Sequence, residues 1–110
     1  MMFLCLAYGA EEDWNRLSEG EQEALLAQDE VLRERGALIA AVETSTVTVR
    51  SWDGMPEVTD GGFAHPDAPL AGFYVLEAAD LEEAVRLVAD TPCARARGAV
   101  EVRPLHEGKG

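Results

Sequence analysis

Asp60 and His65 are the two residues whose types and spacing would allow proton transfer. They lie in the stretch Thr59-Asp60-Gly61-Gly62-Phe63-Ala64-His65-Pro66-Asp67. Two glycines between them permit a sharp reversal of the chain, which would bring a carboxylate and an imidazole together as exchangeable base and acid. The same residues also have a plainer reading. Asp before Gly is ordinary turn chemistry, and Pro66 biases His65 toward an extended backbone that would hold its ring in solvent. Phe63 and Tyr74 are the aromatics expected to line a cleft beside that pair. Arg103, near the end of the chain, is placed either to hold an anionic ligand or to pair with an acidic neighbour. Asp60 and His65 are therefore the catalytic candidates, and Phe63, Tyr74 and Arg103 the ligand-binding ones.

Metal and redox chemistry find little to work with. The two cysteines, Cys5 and Cys93, have no metal-ligand spacing, and His65 and His106 belong to no Cys/His cluster. Cys5 sits in an apolar run and is expected to pack as a small hydrophobe. Cys93 follows Pro92 without an activating histidine nearby in the sequence. No metal or cofactor is called for.

With 9 Lys and Arg against 21 Asp and Glu, the formal net charge is −12. Such a surface repels phosphates, so no nucleic-acid partner is expected, and Trp14 and Trp52 are read as packing residues rather than stacking platforms. No apolar run approaches the roughly 20 residues that span a bilayer. The opening Met1 to Tyr8 lacks a basic n-region and is too short for a signal peptide, which makes it a first strand and the protein cytoplasmic.

The elements that must position these residues follow from pattern. Residues 2–8 are apolar on both alternating faces, as in a central strand covered on both sides. Ser18-Glu19-Gly20-Glu21 is a capping box opening a helix over 19–35, and Gly36 closes it. Ala24, Leu25, Gln28, Val31, Leu32 and Arg35 follow as its inner stripe. Residues 37–43 and 46–52 read as strands, Asp53-Gly54 as a hairpin turn, and 55–58 as the short returning strand. After a loop through residue 70 come a strand at 71–78 and a second helix capped by Asp80. Leu81, Ala84, Val85 and Val88 make its apolar stripe, and Thr91-Pro92 stops it. The last strand runs over 98–105. The order β-α-β-β-(loop)-β-α-β is an α+β, ferredoxin-like pattern with an inserted hairpin, in one domain over residues 1–110. Two helices can cover only one sheet face, so a homodimer packed sheet against sheet is expected to cover the other.

Thr59-Asp60-Gly61-Gly62-Phe63, Ala71-Gly72-Phe73-Tyr74 and Ala78-Ala79-Asp80-Leu81 resemble the YCII-related family, specifically its DGPF branch. The close of the chain agrees: Thr91-Pro92, then Gly98-Ala99-Val100-Glu101-Val102-Arg103-Pro104. The resemblance covers essentially the whole chain. It implies a dimeric α/β ferredoxin-like barrel among small bacterial cytoplasmic proteins, with a site between sheet and helices. It implies small-molecule chemistry of the isomerase, lyase or dehalogenase kind, without a cofactor. An alternative it also implies is a non-catalytic accessory or ligand-sensing module associated with an extracytoplasmic-function sigma factor. Two departures bear on activity. The motif's proline is Gly62 here, and the first-helix histidine that the family pairs with an aspartate is replaced by Ala24, with Glu34 near the aspartate position.

Overall fold

The computed structural model of the chain describes residues 1–63 and 68–106. Its strands are β1 (Met2–Tyr8), β2 (Leu38–Ala41), β3 (Val47–Arg50), β4 (Glu57–Asp60), β5 (Leu70–Glu77) and β6 (Ala99–Pro104). Its helices are α1 (Glu11–Asn15), α2 (Glu19–Glu34), α3 (Leu81–Val88) and α4 (Pro92–Arg95).

Local chemistry sets the two long helices. The Ser18 hydroxyl accepts from the Glu21 amide at 3.1 Å while the Ser18 amide donates to Glu21 Oε1 at 2.9 Å, completing the capping box of α2. At the other end Gly36 takes a φ of +93°, the left-handed geometry that ends a helix without a Cβ penalty. The Asp80 carboxylate caps α3 through the Glu83 amide at 2.8 Å. Thr91 and Pro92 do stop α3, and they also start α4, with proline in the first turn where its missing N–H costs nothing.

Four strands form the main sheet in the order β2-β5-β1-β6, every neighbouring pair antiparallel. This is the ferredoxin-like arrangement, in which each crossover helix carries the chain past one intervening strand. Phe3, Cys5, Ala7, Tyr74 and Leu76 face the helices and are buried with Leu32, Ala84 and Val88. Burial pushes the Cys5 thiol up to about 11, leaving it a neutral core residue. The other face carries Leu4, Leu6, Phe73 and Val75 in cross-strand register, half-buried by their neighbours alone. So β1 is apolar on both faces, but the helices of this chain cover only one.

The hairpin β3–β4 stands apart as a two-stranded sheet. Val47, Val49 and Val58 lie on one of its faces and all are more than half exposed. The radius of gyration is 15.6 Å, above the roughly 13 Å of a compact chain this long, as a projecting arm requires.

Several expectations need correction. The returning hairpin strand is 57–60 rather than 55–58, because residues 51–56 are spent on a wide turn around Asp53 and Gly54; Asp60 therefore ends a strand. Trp52 is 90% exposed on that turn rather than a packing residue of the core. On α2 the inner residues are Leu25, Asp29 and Leu32, with Ala24 and Val31 outside. On α3 Ala84 and Val88 face inward, one turn apart, while Leu81 and Val85 are about half exposed on the adjoining flank. Helix α1 has too few residues to declare itself by periodicity.

Candidate functional site

One end of the sheet opens into a cavity of about 460 Å³, within the range of small-molecule sites. Gly9 and Ala10, where the chain leaves β1, form its base beside Pro92, Cys93 and Ala96 of α4. Glu11 and Trp14 enter from α1, and Leu26 from α2. The far wall is Ala41, Val42 and Thr44 after β2, with Pro69, Leu70 and Ala71 leading into β5. Six chain segments thus converge where strands end and helices begin.

Close backbone approach makes this convergence possible. Gly98 N donates to the Cys93 carbonyl at 3.0 Å, folding α4 back onto β6, and the Cys93 Sγ lies 3.2 Å from where a Cβ of residue 9 would stand. Behind the wall is a buried polar group. Tyr74, 5% exposed, donates its hydroxyl to Asp29 Oδ1 at 3.0 Å, and Asp29 is itself 8% exposed on α2. Thr91, fully buried, donates to the Val88 carbonyl at 2.5 Å. Burial lifts the Asp29 carboxyl above its usual 3.8, against the Tyr74 hydrogen bond, which lowers it. Burial, and then the Asp29 charge, raises the Tyr74 phenol. Burial and Asp29 together raise the Cys93 thiol, so the sulfur facing the cavity stays protonated near neutrality.

The Asp29 shift sets a sign. A folded carboxyl above 3.8 holds its proton more tightly than the unfolded one, so stability falls as pH rises from 3.8 through the folded value. The Tyr74 hydroxyl offsets part of that loss. Tyr74→Phe is therefore expected to cost about 1.5–3 kcal/mol where Asp29 is ionised, and markedly less where it is protonated. Urea midpoints near pH 8 and pH 4 measure the difference; equal losses at both would show that the tyrosine acts through packing alone.

A second cavity, of about 610 Å³, lies between the hairpin base and the open sheet face, with Tyr8, Glu43, Gly61, Gly62 and Phe63 on its walls. It shares Val42, Thr44, Pro69 and Leu70 with the first. The stretch 59–74 thus lips both cavities through its described residues.

The structure does not bring together the four described residues among those singled out from sequence, Asp60, Phe63, Tyr74 and Arg103. Asp60 is exposed at the end of β4, paired with Val47. His65 lies outside the described residues. Phe63 is 79% exposed, under the Arg50 guanidinium at 5.3 Å from its ring centre, so it is not packed beneath a dyad. Tyr74 faces the helices in the core. Arg103 is on the open face of edge strand β6, where it pairs with Glu101 at 3.3 Å rather than standing at the cleft floor. Glu11, Trp14, Asp29 and Cys93 are the residues that sequence reasoning did not assemble. Asp29 alone carried a signal: a carboxylate one turn after Leu25 on the inner stripe. Among the described residues no group of three His, Cys, Asp or Glu side chains could hold a metal ion, and no helix is long and apolar enough to cross a membrane.

Sheet order, one-sided helices and an open cavity at the strand ends define a ferredoxin-like α/β protein with a candidate site at one end of its sheet. Residues 1–109 match the YCII-related domain, and the chain belongs to that family. An uncharacterized protein of Rhizobium meliloti (strain 1021) is 30% identical over 96% of this chain and 92% of its own length. Among solved structures, the 5-chloro-2-hydroxyhydroquinone dehydrochlorinase of Burkholderia phenoliruptrix AC1100, in complex with 2,5-dihydroxybenzoquinone, shares the fold. It aligns with a TM-score of 0.51 and 19% identity over 99% of this chain and 97% of its own.

Proposed function

We propose that this protein binds a small organic molecule in the cavity between the end of the sheet and helices α1, α2 and α4. The observation that carries the reading is the cavity itself: about 460 Å³, walled by six segments, with the few polar groups a binding site uses to orient its occupant. The dehydrochlorinase with the same fold binds a small ring compound, which supports the same reading here. If the bound molecule reacts, the chemistry is cofactor-free proton transfer of the isomerase, lyase or dehalogenase kind. Among the described lining residues Glu11 is then the carboxylate in reach. The test is thermal-shift screening against small ring compounds, uncharged and of both charge signs, in the parent and in Ala41→Phe, which fills the cavity from an exposed position at the end of β2. A ligand at a hundredfold over its Kd stabilises by about 2.7 kcal/mol, worth about 10 °C here, and Ala41→Phe is expected to abolish the shift. Equal shifts in both proteins would place binding elsewhere.

A second reading, a non-catalytic ligand-sensing or accessory module of the kind that accompanies an extracytoplasmic-function sigma factor, is favoured by the arm. Trp52, Met55 and Val58 present an exposed apolar surface suited to a protein partner. In either case the chain is proposed to act as a homodimer, with Leu4, Leu6, Phe73 and Val75 of the two open faces packed together.

A further inference from the structure

We infer that the cavity takes a flat, apolar molecule of one or two fused rings and discriminates against organic anions. The inference rests on reading the cavity as a ligand site, and names the class of ligand.

The wall chemistry decides against an anion. Among its described lining residues there is no Lys, Arg or His to replace the water a carboxylate or sulfonate would lose on entering. The charged side chain that does line the cavity is Glu11, of the same sign as such a ligand. Helix starts at the wall supply little compensation, since acidic residues crowd one and proline removes a donor from the other. The first turn of α1 already holds Glu11, Glu12 and Asp13, and α4 opens with Pro92, which has no N–H to donate. Cys93 stays a neutral thiol, because burial and the nearby Asp29 both oppose its ionisation. Beyond the site, the chain's net charge of −12 lowers the local concentration of anions and slows their approach.

The stiff apolar side chains of the wall favour a flat occupant. Trp14, Pro69 and Pro92 offer broad, stiff apolar faces. Gly9, Ala41 and Ala96 have little or no side chain and leave room beside them. A ring stacked there loses little conformational entropy, and the Thr44 hydroxyl is available to a single polar substituent.

The experiment uses three probes with one ring system: 2-naphthylmethanol, 2-naphthoate and 2-naphthylmethylammonium. In a Trp52→Phe background the remaining tryptophan, of two in the chain, is Trp14, so its fluorescence reports binding at the wall. The alcohol is expected to quench it saturably, with the carboxylate at least about tenfold weaker, equivalent to about 1.4 kcal/mol. Glu11→Gln is expected to narrow that gap by improving the carboxylate. Carboxylate binding as tight as the alcohol, or tighter, overturns the class while leaving the site intact. An ammonium probe that binds no better than the carboxylate overturns the electrostatic basis of that discrimination. If none of the three binds, or if Ala41→Phe leaves the alcohol's Kd unchanged, the reading of the cavity as the site fails.

Discussion

Gly98→Ala is expected to destabilise the fold by at least about 3 kcal/mol and to lower the melting temperature by about 12 °C or more. An alanine Cβ there would stand 2.0 Å from the Tyr8 carbonyl oxygen, 2.8 Å from the Cys93 carbonyl oxygen and 3.1 Å from the Gly9 Cα. All three are backbone atoms, so no flexible side chain can swing away. Relief requires moving β6 from β1 or α4 from the sheet, and either movement breaks up the base of the cavity. Gly20→Ala is the matching control. It lies in the first turn of α2 with nothing within 4 Å of the new methyl, so helix propensity makes it neutral or stabilising by up to about 1 kcal/mol. Circular-dichroism melts of the two variants measure the contrast. A Gly98→Ala melt within a few degrees of the parent would show that the turn after α4 has slack.

Phe73→Asp is expected to convert the proposed homodimer to monomer at micromolar concentration. Phe73 lies opposite Leu6 on the open sheet face, between the central strands, where a sheet-on-sheet partner would bury it. In a two-fold interface each substitution acts twice. Losing about 2 kcal/mol at each copy raises the dissociation constant by about a thousandfold, before the cost of burying a carboxylate is added. Light scattering is expected to give twice 11.9 kDa for the parent and 11.9 kDa for the variant. A parent that is monomeric under these conditions removes the dimer from consideration. It would leave the apolar open face and the arm to be explained by a different partner.

Much of the scaffold was legible in the chain because it depends on near neighbours. The capping box at Ser18 and Glu21, the left-handed residue at Gly36 and the Asp80 cap each act over three or four positions. A strand's alternation likewise shows which residues share a face before the partner strand is known. That is why β1, apolar on both sides, announced a central strand. The limits appeared where a local signal had more than one outcome. Asp53-Gly54 marked the hairpin but not its turn length, and the difference moved Asp60 from loop to strand. The stripe of α3 included Leu81 and Val85, which a short helix on the rim of a sheet leaves half exposed.

The candidate site belonged to the other category. By itself the sequence determined the element order, the caps, the apolar faces and the acidity, all of which follow from local sterics, period and charge. Only the tertiary structure decided that Tyr74 meets Asp29 across 45 positions, so that an aspartate one turn after Leu25 is a paired core residue rather than a surface one. Only the tertiary structure set Cys93 against Gly9, and Glu11 and Trp14 beside Pro69 and Ala71. Asp60 and Arg103, chosen for their chemistry, came to lie on the arm and on the open sheet face. The reason is physical: a cavity is the space left where strand ends, helix starts and loops fail to fill one another. That space depends on the packing of segments distant in sequence, to which no single segment's pattern refers.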